Sequence, residues 1–463
     1  MVKDSIGTFI TKIIVMAFAI IVSVIINRSL GADGRGQLAV VVLIPQILWV
    51  LGSFGLDFAN IYYSGKTREK IPIIISNSIW LGLFFGFAFI LIVSAVWILS
   101  GSVVKDIDKY LLGVPGLYFF LMLLTVPPYL VAYFLDSSVY GMDKIHARNI
   151  KEIFTNAFLL VVTAIMVTDP SARAPLVNRS FGFGLNMGIF GATISQLFFV
   201  TFIVIYSLFL VSRFSKWRLM KFDWAFFIEA MRYIGFYAYG ATAATFLFHR
   251  IGIFILTYYI ANISRLTNVD LGLFTTASTI MEKLMVIPGS IVYALLPKVT
   301  SKSSDEIIVL TSKVSRHTLI VTLITIGFLS IFISPILVFL YGWEYEPAKY
   351  PFWWLAPGII LLSMGRVYGT HLLGIGKAYY AFYFSICTLI LNAILNIVLI
   401  PLMGINGSAI ATSIAYAFQT FLMYYAFKRE TKIGTGELFL LKRDDFNVYS
   451  RGMRELWRYF SRS

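Results

Sequence analysis

The chain is poor in charge and in nearly everything that marks an enzyme site. Charged residues make up 13% of its 463 positions, about half the share of a water-soluble domain, which excludes an ordinary soluble fold. The one cysteine, Cys387, lies mid-span; it rules out an intrachain disulfide and leaves the redox compartment open. Four histidines, His146, His249, His317 and His371, are scattered without metal-ligand spacing, so no metal is expected. There is no phosphate-binding P-loop, hence no ATP hydrolysis by the chain itself. Gly34 and Gly36 fall in a short outer turn that follows no strand. The longest outer loop covers only 169–187, too little for a soluble catalytic domain. Neither enzyme activity nor a cofactor is expected.

What is abundant is apolar sequence: 59% hydrophobic, with a mean hydropathy of +0.82. A helix crossing a bilayer needs roughly 20 apolar residues. Runs of that kind fall near 7–27, 38–63, 71–100, 114–140, 150–168, 188–212, 233–261, 271–296, 317–341, 352–374, 379–401 and 405–427. They are too long and too continuous for barrel strands of about 10 alternating residues. The expected fold is all-α and polytopic, with about twelve transmembrane helices. The first run has no small-residue cleavage site after it and reads as a span, not a removable signal peptide.

Most of the 38 Lys and Arg residues fall on the loops that share a side with both termini, among them Lys66, Arg68, Lys70, Lys144, Lys216, Arg218, Lys221 and Lys377. By the positive-inside rule both termini are cytoplasmic in a multi-pass cell-membrane protein. The net charge of +15 then faces anionic lipid of the inner leaflet, and its spread over many loops argues against nucleic acid as a partner.

The spans divide into an N-terminal six-helix lobe (1–212), an inter-lobe linker (213–232), a C-terminal six-helix lobe (233–428) and a basic tail (429–463). The lobes echo one another: Gly188-Ile189-Phe190-Gly191-Ala192-Thr193 opens the sixth span and Gly404-Ile405-Asn406-Gly407-Ser408-Ala409 the twelfth. Gly141-Met142-Asp143-Lys144 likewise echoes Gly374-Ile375-Gly376-Lys377. A repeated six-span unit keeps its direction, so the lobes are parallel repeats, and transporters place their sites between such repeats. In the tail, Arg451, Arg454, Arg458 and Arg462 at helical spacing suggest an interfacial amphipathic helix. The stretch 223–232 suggests a second interfacial segment.

Polar residues within spans must face protein or water. Asp57 and Asn60 share a face with Gln46, Ser53 and Ser64 in the second span; Tyr129, Tyr133 and Asp136 line the fourth. Glu282 falls in line with Thr275 and Thr279; His249, with Thr242 and Thr245, precedes Arg250; Arg366 aligns with Ser363 and Thr370. Most hydroxyls in such stripes are packing contacts. Arg250, Lys283 and Arg366 are different, because each base near mid-bilayer costs roughly 2.5–3.5 kcal/mol if left to lipid. They face either a wet cavity, suited to an anionic solute, or internal carboxylates such as Glu282 or Asp57. Asp57, Asp136 and Glu282 are candidates for coupling to H+ or Na+, since either ion neutralises an embedded carboxylate.

The outer turn Asn27-Arg28-Ser29-Leu30-Gly31-Ala32-Asp33-Gly34-Arg35-Gly36-Gln37-Leu38-Ala39 resembles the start of the polysaccharide-export flippases, the O-antigen-type (Wzx-like) branch of the MOP exporter superfamily. The turns Tyr140-Gly141-Met142-Asp143-Lys144 and Gly374-Ile375-Gly376-Lys377 resemble it too, as does Pro401-Leu402-Met403-Gly404-Ile405-Asn406-Gly407-Ser408-Ala409-Ile410-Ala411-Thr412. The likeness covers the chain to about residue 428. It implies two lobes around a V-shaped cavity that opens alternately to each side. It also implies an undecaprenyl-diphosphate-linked oligosaccharide moved to the outer leaflet for cell-surface polysaccharide. On this expectation Arg250, Lys283 and Arg366, with Arg28 at the outer turn, hold the diphosphate, and Asn60, Tyr129, Tyr133, His249 and Thr370 contact sugar. The protein is expected to act as a monomer among membrane lipids. The alternatives are a multidrug or cation exporter of the MATE type in the same superfamily, a membrane polysaccharide polymerase or ligase, and, more remotely, a lipid-binding scaffold.

Overall fold

The structure, a computed structural model, describes residues 2–103, 107–172, 182–233, 236–262, 265–286, 288–289 and 304–433. Its helices are α1 (Val2–Leu51), α2 (Leu56–Lys66), α3 (Ile71–Val103), α4 (Gly116–Leu123), α5 (Val126–Gly141), α6 (Ile145–Val167), α7 (Gly188–Phe214), α8 (Trp224–Tyr233), α9 (Phe236–Asn262), α10 (Asn268–Leu284), α11 (Ser304–Tyr341), α12 (Lys349–Gly374) and α13 (Ala378–Thr431). No strand occurs among the described residues, as expected where lipid cannot satisfy an open sheet edge.

Among the described residues, 8 helical segments are long and apolar enough to cross a membrane. Two of these, in α1 and α13, are double passes, because a straight helix of 45 or 54 residues would be more than twice the roughly 30 Å hydrocarbon thickness. The α1 chain leaves helical geometry at Gly31 (φ 67°, ψ 179°), and Leu38 packs back on Ile26 and Leu30. The α13 chain reverses at Gly404 (φ 59°, ψ −136°), so Ser408 can donate to Asn396 at 2.7 Å. Farther down the same hairpin Thr388 meets Gln419, and Lys377 meets Glu430. With α10 and α12 these passes make up the expected twelve. The reversal at Gly31 corrects one expectation: Gly34, Arg35 and Gly36 are not loop residues but the first turns of the second pass.

Two passes are broken within the membrane. The second is interrupted between Leu51 and Leu56, where Phe54 and Gly55 take left-handed φ values of 45° and 74°. The fourth breaks between α4 and α5, just before Pro127 and Pro128, which lack the amide hydrogen a continuous helix requires.

The internal repeat extends to backbone detail. Gly188 and Gly404 have φ of 57° and 59°. Three residues on, a Cβ at Gly191 would lie 2.6 Å from the Met166 carbonyl oxygen, and one at Gly407 2.2 Å from that of Leu399. Both glycines let a helix press against the end of its predecessor. At the other repeat, Asp143 and Gly376 are left-handed (62° and 80°), and the Lys144 and Lys377 amides donate five residues back, to Val139 and Leu372.

The lobes meet on the membrane face opposite the termini, here the far face. A Cβ at Gly36 would fall 2.0 Å from the Asn268 oxygen, and one at Gly272 1.9 Å from the Ala32 oxygen, so α1 and α10 touch backbone to backbone. Glu344 accepts from the Ala32 amide (2.9 Å), Tyr345 donates to the Asn27 carbonyl (3.2 Å), and Lys109 reaches Asn262 (3.1 Å). The linker contains α8, docked on α2 and α3 of the N-terminal lobe. The tail helix expected beyond 433 lies outside the described residues.

Close packing of glycine against backbone makes a direct prediction. A Cβ at Gly86 would sit 2.3 Å from Pro127 Cα, whereas one at Gly327 meets nothing within 4 Å. Gly86→Ala is expected to destabilise the detergent-solubilised protein by about 1–3 kcal/mol, seen as a lower melting temperature, with Gly327→Ala unchanged.

Candidate functional site

Four helices of the C-terminal lobe and one of the N-terminal lobe turn polar residues toward the seam between the lobes. Counted from the far-face helix ends at 1.5 Å per residue, Arg35, Arg250, Glu282 and Arg366 have Cα depths of about 6, 18, 21 and 25 Å. The three deepest are well inside the hydrocarbon. Arg250 donates from Nη1 to Glu282 Oε1 at 2.8 Å and from Nη2 to Oε2 at 3.4 Å, with its guanidinium 5.5 Å from the Phe246 ring centre. Arg35 reaches across from the other lobe and donates to Thr279 Oγ1 at 3.4 Å; Arg250 and Glu282 are its charged neighbours. The Nε atoms of Arg35 and Arg250 are buried without an acceptor. His249 lies edge-on to Tyr416, ring centres 5.3 Å apart, with Arg366 and Arg250 as its charged neighbours. Guanidinium groups from both lobes, Arg35 and Arg250, thus share one carboxylate, Glu282, and Arg366 and Lys283 are exposed. Of the two alternatives for Arg250, pairing with Glu282 is the one observed, yet the pair keeps 20% and 35% of its side-chain surfaces open.

The N-terminal lobe contributes an aromatic face. Trp49 stacks on Tyr129 (4.2 Å) and Tyr129 on Tyr133 (6.2 Å). Tyr133 then donates to Asp57 Oδ2 at 3.0 Å. From the C-terminal lobe, Tyr239 donates to the Leu51 carbonyl (2.7 Å) and has Asp57 as a charged neighbour. This places the Asp57–Tyr133 pair at the boundary between lobes. Among the described residues Asp57 has no basic partner, in contrast to the other two embedded acids.

Three expected site residues are engaged elsewhere. Arg28 donates to the carbonyls of Leu340 (2.9 Å), Phe339 (2.7 Å) and Val338 (3.4 Å), capping the C-terminus of α11, where carbonyls lack helical partners and the dipole favours a cation. Asn60 is buried and donates to Ser78 Oγ (2.9 Å) and the Phe134 carbonyl (3.2 Å). Asp136 is bound by Lys151 and Ser207 inside the N-terminal lobe; Lys151 is itself buried. Thr370 lies one turn beyond Arg366 on α12, half-buried. Arg35 escaped the sequence reading because glycines on either side made it look like loop. Among the described residues no group of three or more His, Cys, Asp or Glu could hold a metal ion.

No family model matches the chain. It is similar to a probable low-salt glycan biosynthesis flippase, Agl15 of Haloferax volcanii, with 28% identity over 162 residues. That stretch spans about a third of each protein, 34% of both. The fold extends the likeness over nearly the whole chain. The lipid II flippase MurJ, in an inward closed conformation, superposes with a TM-score of 0.62 at 15% identity, covering 92% of this chain and 88% of that one. A MOP superfamily transporter from Pyrococcus furiosus, described as having a binding pocket of reversed polarity, gives 0.64 at 13% identity over 93% and 96%. The fold is that of the MOP superfamily transporters.

Removing the lone carboxylate from the arginine cluster tests how the charges are held. Glu282→Gln is expected to destabilise the protein by about 1–2 kcal/mol, less than for a fully buried pair because this one is partly solvated. Replacing both Arg250 and Glu282 by Met should restore much of the loss, as read from thermal unfolding in detergent.

Proposed function

We propose that the chain flips an anionic lipid-linked oligosaccharide across the membrane by alternating closure of its two lobes. The observation that carries this reading is the pair of guanidinium groups from opposite lobes, Arg35 and Arg250, that have Glu282 as a shared charged neighbour where the lobes face each other. Guanidinium binds phosphate oxygens bidentately and keeps its charge at any physiological pH. A diphosphate headgroup matches such a cluster, and the undecaprenyl diphosphate of the resembled flippases is the carrier we assign. Arg35 takes the place of Arg28 in that set, and Lys283, exposed on α10, completes it. The sugar would lie along Tyr129, Tyr133, His249 and Thr370, while the isoprenoid tail stays in lipid. A pocket for organic cations, as in a multidrug exporter, calls for the opposite sign. A polymerase or ligase calls for a long catalytic loop, and the loops here are short.

Within this reading the protein acts as a monomer in the cell membrane with its termini in the cytoplasm. Asp57 is the coupling residue: among the described residues its carboxylate meets a phenol and no base, so binding H+ or Na+ removes an unbalanced charge between the lobes. Glu282 and Asp136, each held by a base, do not need such an ion.

Reconstitution into vesicles with a fluorescent diphosphate-linked saccharide tests the function. Arg366→Ala and Arg35→Ala should each slow leaflet transfer about tenfold or more, the scale of one lost charge-assisted hydrogen bond. Unchanged transfer in both removes the site, and no transfer by the intact protein under H+ or Na+ gradients removes the function. Asp57→Asn should abolish the response to an ion gradient while leaving exchange at zero gradient.

A further inference from the structure

The linker between lobes has a face that nothing in transport uses. In α8, Phe226 and Ala230 are 5% and 1% exposed, while Trp224, Ile228 and Met231 on the opposite side are 67%, 48% and 36% exposed. A helix covers one stripe at i, i+4 and i+7, so α8 buries one face on the N-terminal lobe and turns an apolar stripe away from it. Its attachment is specific. Asn77 donates to the Asp223 carbonyl (2.8 Å) and accepts from the Asp223 amide (2.9 Å), Trp80 donates to the Met220 carbonyl (3.0 Å), and Lys70 pairs with Glu229 at 2.8 Å. Phe226 and Ala230 seat among Leu56, Asn60, Leu81 and Phe134.

These partners fix how deep the linker sits. Trp80 and Leu81 come nine and ten residues after the start of α3, roughly 14 Å along its axis. The 33 residues of α3 span about 50 Å, so some 10 Å emerges on each side of a 30 Å hydrocarbon layer. Met220 and α8 therefore lie against the flank of α3 at the level where headgroups give way to acyl chains, not above the membrane. Lys216, Arg218 and Lys221, all exposed, precede the apolar stripe at headgroup height.

We infer that residues 216–233 form a lateral lipid-binding surface on the membrane face of the termini, in which Trp224, Ile228 and Met231 enter the leaflet and Lys216, Arg218 and Lys221 bind the phosphates of anionic lipids. An apolar stripe beside a cluster of bases is the composition of an interfacial amphipathic helix, and each base near an anionic surface strengthens binding about fivefold. Because the other face of α8 is bonded to α2 and α3, leaflet charge acts on the N-terminal lobe.

The test needs no transport assay, so its outcome is separate from that of the flippase reading. In a Cys387→Ser background, Ile228→Cys and Ala225→Cys are labelled with an environment-sensitive fluorophore in vesicles of phosphatidylcholine with or without phosphatidylglycerol. Brominated acyl chains should quench the label at 228 several-fold more than at 225. Retention of phosphatidylglycerol by the purified protein, measured by native mass spectrometry, should fall about a hundredfold in the Lys216→Gln/Arg218→Gln/Lys221→Gln variant. A label at 228 open to aqueous quenchers overturns the proposal. So does one shielded from both water and bromolipid, which would mean cover by the tail or a second copy. Undiminished lipid retention by the triple variant overturns it equally.

Discussion

A charge in hydrocarbon must find a counter-charge, hydrogen-bond partners or water, and this constraint organises the molecule. The N-terminal lobe meets it at one point by closure: Lys151 is buried against Asp136 and Ser207. The C-terminal lobe meets it only in part. Arg250 has Glu282, and Arg35, reaching in from the other lobe, has the same two residues as its charged neighbours, so these charges gather at the seam between the lobes.

The seam itself is held by contacts of a different kind. At the far face the lobes approach through Gly36 and Gly272, close enough that any side chain would collide with backbone. Around that point Glu344 takes the Ala32 amide and Arg28 caps α11. These interactions are polar, directional and few. Contacts inside each lobe, such as the glycine-mediated fit of α7 on the end of α6, are steric and permanent.

The fold was legible in the sequence because lipid admits few alternatives. Length, hydropathy and glycine turns specified twelve helices, and the echo between 188–193 and 404–409 survives as matched left-handed glycines. The site was less legible. Helical spacing put Asp57, Tyr129 and Tyr133 on shared faces, and Arg250 near Glu282, but it could not tell a residue facing a seam from one facing a neighbour within its lobe. Asn60 and Asp136 follow the same spacing as Asp57, yet the rotation of their helices sends them to Ser78 and Lys151. Arg28 caps α11 while Arg35 reaches the other lobe, because a chain reversal at a single glycine moves the boundary between turn and helix by several residues.

The interruption at Phe54 and Gly55 has a mechanical meaning. Above it, residues 32–51 press on α10 of the opposite lobe; below it, α2 packs on α5 of its own. One continuous rod would oblige the two ends of the molecule to swing as a rigid lever, each gap widening as the other narrows. A pass cut in its middle acts as two short levers sharing a pivot, so one mouth can be shut before the other is released, and a state closed at both ends becomes accessible along the way.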